Sequence, residues 1–245
     1  MKFPIVFIMA FSLVTLVYGQ ESSTAPDVQG PSGVTAPGAE PDLPGTLTID
    51  FGFNFLQNAP DNLNLKFWPS KGVGIYYLYD MPIGESKFSF HPGLGVGFES
   101  YAFSQNVSLT YAPGDDSVSI VDLDADVYET VDKSKLVTHY VDVPLEFRFY
   151  SKENYRGFMV GLGAKVGYLF SSYTKVKYQN EGEGFTQKQK QDPDFNLNRL
   201  RYGVSARLGF RGFNLHGQYM LSDLFKSGGG PEVNNYKVGL SIALF

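Results

Sequence analysis

Acid–base, nucleophilic and metal chemistry in this chain would rest on few side chains: three histidines, His91, His139 and His216, and no cysteine. Zero Cys excludes disulfides, thiolate metal sites and Cys nucleophiles. Acyl transfer needs a nucleophile, an adjacent base and an acid that orients the base. His139 is the one histidine placed where a lipid could reach it, but no serine nucleophile motif accompanies it, and an interfacial histidine is the ordinary reading. A second set is larger. Asp50, Asp80, His91, Glu99, Asp142, Glu146, Arg148, Lys165, Arg207 and His216 all occupy rows of small and polar residues that alternate with apolar ones. Inside an apolar shell such charges are costly unless paired. Acids on the first four alternating segments face bases on the fourth, fifth and sixth, so an ion-pair network across the interior is expected. Glu146, Arg148, Arg207 and His216 lie close to short turns and should share one end. The expected role of the network is a structural plug of salt bridges, since eight strands leave no open channel, with a proton-sensitive gate as the rival reading.

The stretch from Ser104 to Lys135 is acidic. Asp122-Leu123-Asp124-Ala125-Asp126 has the look of a calcium loop's opening. It fails where a turn glycine is required, at Val127, and where a closing Glu is required, at Lys133. Val121, Leu123, Ala125 and Val127 alternate with the acids, which reads as a strand prolonging a hairpin, with weak divalent-cation binding left open. No metal centre and no cofactor site is expected. Asn106-Val107-Ser108 is a formal glycosylation triplet of little weight in a bacterial envelope protein.

Elements must position these residues, and composition restricts which. The chain has 245 residues, with 20 Lys+Arg against 25 Asp+Glu for a net charge of −5. An acidic chain of this kind lacks the basic face that nucleic acid requires, so no nucleic-acid partner is expected. Charged residues make up 18%, below the roughly 25% of ordinary soluble domains. Gly is abundant at 27, beside 21 Phe and 16 Tyr. Few charges with many glycines and aromatics lean away from a helical enzyme.

From Thr46 onward the dominant period is two. Leu47, Ile49, Phe51, Phe53 and Phe55 form the first apolar row, opposite Thr48, Asp50, Gly52 and Asn54. Seven further segments follow, near 72–81, 88–103, 136–150, 157–178, 199–211, 213–224 and 234–245. A soluble sandwich or lipocalin-like barrel with its apolar row inside would alternate in the same way. Two features favour the inverted arrangement. The non-apolar rows are rich in Gly and Ser, which suit the crowded inside of a closed eight-stranded barrel better than a water-washed face. The connections alternate long and short, as in outer-membrane barrels. Each segment also reaches the roughly 9–11 residues that a tilted spanning strand needs, and closure satisfies every backbone group in lipid. The expected fold is all-β, an eight-stranded antiparallel up-and-down transmembrane β-barrel over residues 46–245.

Ahead of it, Met1-Lys2 precedes an apolar run from Phe3 to Tyr18, shorter than the about 20 residues a spanning helix needs. Val17-Tyr18-Gly19 offers a cleavage site, so residues 1–19 read as a signal peptide. Residues 20–45, with Pro26, Pro31, Pro37, Pro41 and Pro44, read as a flexible periplasmic tether. Both ends of the barrel are then expected in the periplasm. The chain ends in Phe245, as assembly signals often do, yet the last segment's apolar row is at even positions. Either a bulge re-phases the end or this residue lies at the interface.

Tyr140-Val141-Asp142-Val143-Pro144-Leu145-Glu146-Phe147-Arg148-Phe149 resembles a strand signature of the PorT-like outer-membrane β-barrel proteins. Gly161-Leu162-Gly163-Ala164-Lys165-Val166-Gly167-Tyr168 is similar to that family's following Gly-rich strand. Gly217–Leu224 and Asn235–Leu240 also match, so the resemblance covers roughly residues 46–245. It implies an accessory part in a protein-export or envelope-assembly machine. The residues themselves point to a non-catalytic integral barrel in the cell outer membrane, scaffolding or recruiting partners through long loops. Its expected partners are outer-membrane lipid and other envelope or secretion proteins. A lipid-modifying enzyme using His139 is the rival from another class.

Overall fold

The structure, a computed structural model, describes residues 45–104, 107–111, 117–123, 130–152, 157–179, 187–191, 195–210 and 212–244. The expected signal peptide, the tether as far as residue 44, Asn106, Phe245, and Asp115, Asp116, Asp124, Asp126 and Glu129 lie outside the described residues.

Twelve strands follow in chain order: β1 (Gly45–Gln57), β2 (Lys71–Tyr79), β3 (Met81–Pro82), β4 (Phe88–Ala102), β5 (Val107–Tyr111), β6 (Val118–Asp122), β7 (Thr130–Tyr150), β8 (Phe158–Gln179), β9 (Gln187–Gln191), β10 (Leu200–Phe210), β11 (Phe213–Met220) and β12 (Asn234–Leu244). Every barrel pairing is antiparallel, running β1–β2–β4–β7–β8–β10–β11–β12. The ring closes where β12 pairs back to β1, from Leu47↔Leu244 to Gln57↔Asn234. Eight strands thus leave no free barrel edge, which in lipid would expose unpaired backbone groups. No helix among the described residues is long and apolar enough to cross a membrane.

Alternation now has a direction. In β10 the even residues face out, with Leu200, Tyr202, Val204, Leu208 and Phe210 all about half exposed, while Arg201 and Arg207 are buried. Leu162 is 64% exposed and Leu240 66% exposed, whereas Asp142 and Lys237 are fully buried. A soluble barrel would show the reverse, so the apolar rows are the outer surface. Aromatic side chains gather at both ends of this surface, with Tyr79, Phe88, Phe158 and Phe213 by the short turns and Phe67 and Trp68 by the long loops. Such paired girdles mark the two interfaces of a membrane barrel. The even row of β12 keeps its phase through Leu244, so no bulge re-phases the described part of the last strand.

The long connections do more than link strands. Leu63, from the short 3-10 turn Asp61–Leu63, meets Phe103, Val107, Leu109, Val118, Phe195, Leu197, Leu224, Phe225 and Val233 in one buried apolar cluster over the mouth of the barrel. Tyr101, Leu136, Tyr140 and Leu169 complete it from the barrel strands below. Backbone bonds knit the loops together: Val118 N–H donates to Gly229 O at 2.9 Å, Lys226 N–H to Asn196 O at 2.7 Å, and Lys66 N–H to Ala102 O at 2.8 Å. One expectation changes here. Residues 118–122 do not prolong a barrel hairpin but pair with β5 in a separate two-stranded sheet. The reason is burial, since Val107, Leu109 and Val118 turn into the cap cluster. It is β7 that prolongs the barrel wall, starting at Thr130 instead of near 136.

Candidate functional site

The barrel interior carries the charged residues, and they sort into three levels. Toward the short-turn end, Arg207 of β10 reaches across to β1 and β7. Its Nη1 lies 2.9 Å from Asp50 Oδ1 and its Nη2 3.1 Å from Glu146 Oε1. Arg207 Nη1 also bonds Ser241 Oγ of β12. Arg148 donates to the other oxygen of Glu146 from Nε at 3.0 Å and from Nη2 at 2.9 Å. One carboxylate thereby serves two guanidinium groups, each buried to within a few per cent. The planar forks of arginine match carboxylate oxygens two at a time, which makes these pairs directional as well as charged.

Nearer the cap, Asp142 of β7 is the hub. Arg201 of β10 donates to both of its oxygens, at 2.9 and 2.7 Å from Nη2 and 3.2 Å from Nε. The Tyr76 hydroxyl of β2 donates to it at 3.1 Å, and Lys165 of β8 lies 3.9 Å away. Lys165 donates to Tyr76 Oη and Gln218 Oε1 at 2.8 Å each, with its ammonium 4.3 Å from the Tyr76 ring centre. Arg201 also reaches Glu99 at 3.7 Å, and Glu99 takes a bond from Lys237 of β12 at 3.0 Å. The Arg201 guanidinium lies 3.6 Å from the centre of the Tyr140 ring, at the base of the cap. Together the two levels draw at least one side chain from each of the eight barrel strands.

A third cluster lies at the short-turn mouth. His91 Nδ1 is 2.7 Å from Asp80 Oδ1, and His91 Nε2 is 2.6 Å from Ser89 Oγ. Thr46 Oγ1 donates to the other oxygen of Asp80 at 3.0 Å. Asp80 stands past the end of β2, with its side chain 41% exposed. Burial opposes its ionisation, but the hydrogen bonds from His91 and Thr46 outweigh that and hold the carboxyl below its ordinary range. Serine, histidine and aspartate here have the connectivity of a nucleophile relay. Ser89 and His91, however, are 3% and 2% exposed, buried on one strand. His139, the histidine of the enzyme reading, is on the outer face, its ring 5.2 Å from Phe98, 5.8 Å from Phe170 and 5.9 Å from Tyr173.

Glycine makes room for this crowd. A Cβ at Gly97 would stand 2.8 Å from Asp142 Oδ2 and 2.9 Å from Arg201 Nη2, and one at Gly167 would be driven into Asp142 Oδ1. The cavity bounded by Asp50, Glu146, Lys165, Arg207 and His216 measures about 10 Å³, room for about one water. Among the described residues no group of His, Asp and Glu is arranged to hold a metal ion.

Nine of the ten residues singled out from the sequence are buried in the interior, and Asp80 stands at its short-turn mouth. Asp50, Glu99, Asp142, Glu146, Arg148, Lys165 and Arg207 enter the two ion-pair levels, and Asp80 and His91 form the separate cluster. His216 is buried beside Arg207 in register, but neither of its ring nitrogens has a protein partner. Arg201, Lys237 and Tyr76 were missed. Period two already put all three in the inward rows, and the charge of Arg201 and Lys237 was signal enough to include them. Tyr76 gave no such sign, because an aromatic in an inward row reads as filler.

A family model described as an outer membrane protein beta-barrel domain matches residues 46–226. No curated protein matches the chain. Among solved structures, it is similar to Ail, the attachment invasion locus protein of Yersinia pestis, in complex with the heparin analogue sucrose octasulfate. The identity is 14% and the TM-score 0.36, over 82% of this chain and 97% of that one. A structure from work on asymmetric conductivity of engineered proteins is similar at 9% identity and a TM-score of 0.21, over 82% of this chain and 99% of that one.

Proposed function

The chain belongs to the family of outer membrane protein β-barrel domains, and from that premise we propose a non-catalytic envelope scaffold that recruits partners through the cap. Residues 1–19 serve as a signal peptide and residues 20–45 as a periplasmic tether, so the short turns face the periplasm and the cap faces outward. The observation that carries this reading is the pairing of a lumen filled by ion pairs with a folded roof. A cavity of about 10 Å³ conducts nothing, and loops packed around Phe195, Leu197 and Phe225 present a defined surface. The charged lumen then acts as a structural plug, and a gate has no passage to regulate.

Co-purification from detergent tests it. A recruiting scaffold brings down a partner that is lost when residues 221–233 are replaced by a short linker, while barrel assembly is unchanged. The resemblance to PorT-like proteins supports a second reading, an accessory subunit of an export or assembly machine. That reading requires stoichiometric partners that survive the loop replacement. The Ser89–His91–Asp80 geometry favours a hydrolase only if Ser89 reacts. We expect no covalent labelling of Ser89 by a fluorophosphonate probe in the folded barrel, and labelling lost in Ser89→Ala would reopen the catalytic reading. For the enzyme reading based on His139, His139→Ala should leave the membrane lipids unchanged.

A further inference from the structure

Register places one buried histidine between two neighbours that cannot bond it. His216 of β11 points inward and is 4% exposed, with Arg207 of β10 beside it on one side and Gly239 of β12 on the other. A guanidinium only donates and a glycine has no side chain, so neither takes the N–H that either tautomer of an imidazole carries. Both ring nitrogens of His216 lack a hydrogen-bond partner. Two more buried groups share that condition. Arg207 spends Nη1 and Nη2 on Asp50, Glu146 and Ser241, which leaves its Nε–H unbonded. Gln218, at the next inward position of β11, turns Oε1 to Lys165. An ammonium can only donate, so this contact fixes the amide's orientation and leaves Nε2 as its unbonded end. Arg207, His216 and Gln218 all line the cavity of about 10 Å³ inside the barrel.

Buried donors left unbonded are costly, and a group of them around one cavity points to an acceptor held there. The Nε–H of Arg207, the amide N–H groups of Gln218 and a ring N–H of His216 outnumber the lone pairs that a water offers. Acceptors on the cavity wall are already engaged. Both oxygens of Asp50 take bonds from Arg207, and those of Glu146 are divided between Arg207 and Arg148. Lys165 lines the same cavity and sends its hydrogen bonds to the neutral oxygens of Tyr76 and Gln218. Its contact with Asp142 is 3.9 Å, and both oxygens of that carboxylate are bonded by Arg201. Asp50 and Glu146 are thus set against Arg207, Arg148 and Lys165 around one small space. The local balance is positive, and it acts strongly where solvent does not screen it.

We propose that this cavity is a halide site, in which one chloride ion accepts hydrogen bonds from Arg207 Nε, Gln218 Nε2 and the His216 ring, with the Lys165 ammonium beside it. A space of about 10 Å³ admits one body about the size of a water. That size selects a single-atom anion and excludes phosphate, sulfate and carboxylates. The ion completes the ion-pair plug by joining β8, β10 and β11 through side chains that otherwise lack partners. The inference needs only the closed barrel, and it stands whether or not the cap recruits a partner.

The test refolds and crystallises the full chain with bromide as the halide and reads the anomalous signal of bromine. A peak is expected in the cavity beside His216 and Gln218. It should vanish in Gln218→Glu, which keeps an oxygen for Lys165 but puts a carboxylate oxygen where the amide donated. Density there without anomalous signal means a water only and overturns the proposal. Anomalous peaks confined to the outer surface mean an adventitious ion only and overturn it too. A second measurement follows urea unfolding in phosphatidylcholine vesicles as chloride replaces gluconate at constant ionic strength. An ion bound by the folded barrel alone raises the folded-to-unfolded ratio about tenfold for each tenfold rise in chloride above half-saturation. His216→Leu, which removes the ring donor, should flatten that dependence. A parent indifferent to chloride, or a variant with the parent's full dependence, overturns the site. Heat-modifiable migration is scored for every variant. If Gln218→Glu fails to assemble, the parent's bromide peak and the His216→Leu titration decide the matter.

Discussion

Lumen and cap meet at Tyr140 and obey opposite rules. Below it, the barrel turns its apolar rows outward and fills its centre with Arg201, Asp142, Lys165 and Glu99. Above it, Leu63, Phe195, Leu197 and Phe225 are buried together in one apolar cluster. Both follow from where apolar surface can go. Lipid accepts Leu162 and Leu240, so the wall needs no apolar centre, and a polar centre is tolerable because every strand contributes a partner. Above the bilayer that option vanishes, and the loops must bury apolar surface against one another as any water-soluble fold does. Arg201, stacked on Tyr140 while paired to Asp142, is the joint between the two regimes.

The largest effect should come from removing the hub of the lumen. Asp142→Ala leaves Arg201 and Lys165 short of a carboxylate and should cost about 3–5 kcal/mol, read from urea unfolding in vesicles. A loss close to zero would mean that the lumen charges are solvated and do not hold the wall together. Next comes the same substitution made on both sides of the divide. Leu197→Ala in the cap should cost about 3 kcal/mol, because it opens a cavity in a packed core. Leu162→Ala on the outer wall should cost about 0.5 kcal/mol, because lipid chains fill the space. Equal costs would erase the distinction. Gly167→Ala, which pushes a methyl into the seat of Asp142, should cost about 2 kcal/mol by overpacking.

The smallest effect is pH-dependent and belongs to the short-turn mouth. Asp80 has a folded-state pKa below its unfolded value, so its contribution is complete above the ordinary carboxylate range, about 3.9, and is lost as pH falls through the folded value. Unfolding midpoints compared at neutral and acid pH should show Asp80→Asn losing less on acidification than the parent. Identical losses would remove His91 and Thr46 as the cause.

Much of the wall was readable because a bilayer enforces strict alternation. Phe51, Phe53 and Phe55 against Asp50 and Asn54 declare two faces without any tertiary information, and so do Leu145 and Phe147 against Glu146 and Arg148. The direction of those faces needed the glycines, whose spacing makes sense only where side chains crowd inward. Pairing was less legible. Asp142 could have met Arg148, three inward positions away on its own strand. Only the barrel's register and tilt bring it to Arg201 instead. The cap was the least readable part, because Phe195, Leu197 and Phe225 sit in non-periodic segments, and Phe195 and Asn196 take positive φ values of 46° and 47°. Irregular chain of that kind is specified by what it packs against, and no local pattern announces it.

The most direct test of the divide is native-state amide exchange on the barrel in bilayers, comparing the parent with Leu197→Ala. Opposite rules in the two regions predict two tiers of opening, with amides of β5, β6 and residues 221–233 accelerated by the substitution while those flanking Asp142 on β7 and Lys165 on β8 are unchanged. Acceleration of both sets together would mean that the cap and the charged lumen form one cooperative unit, and the account would be wrong.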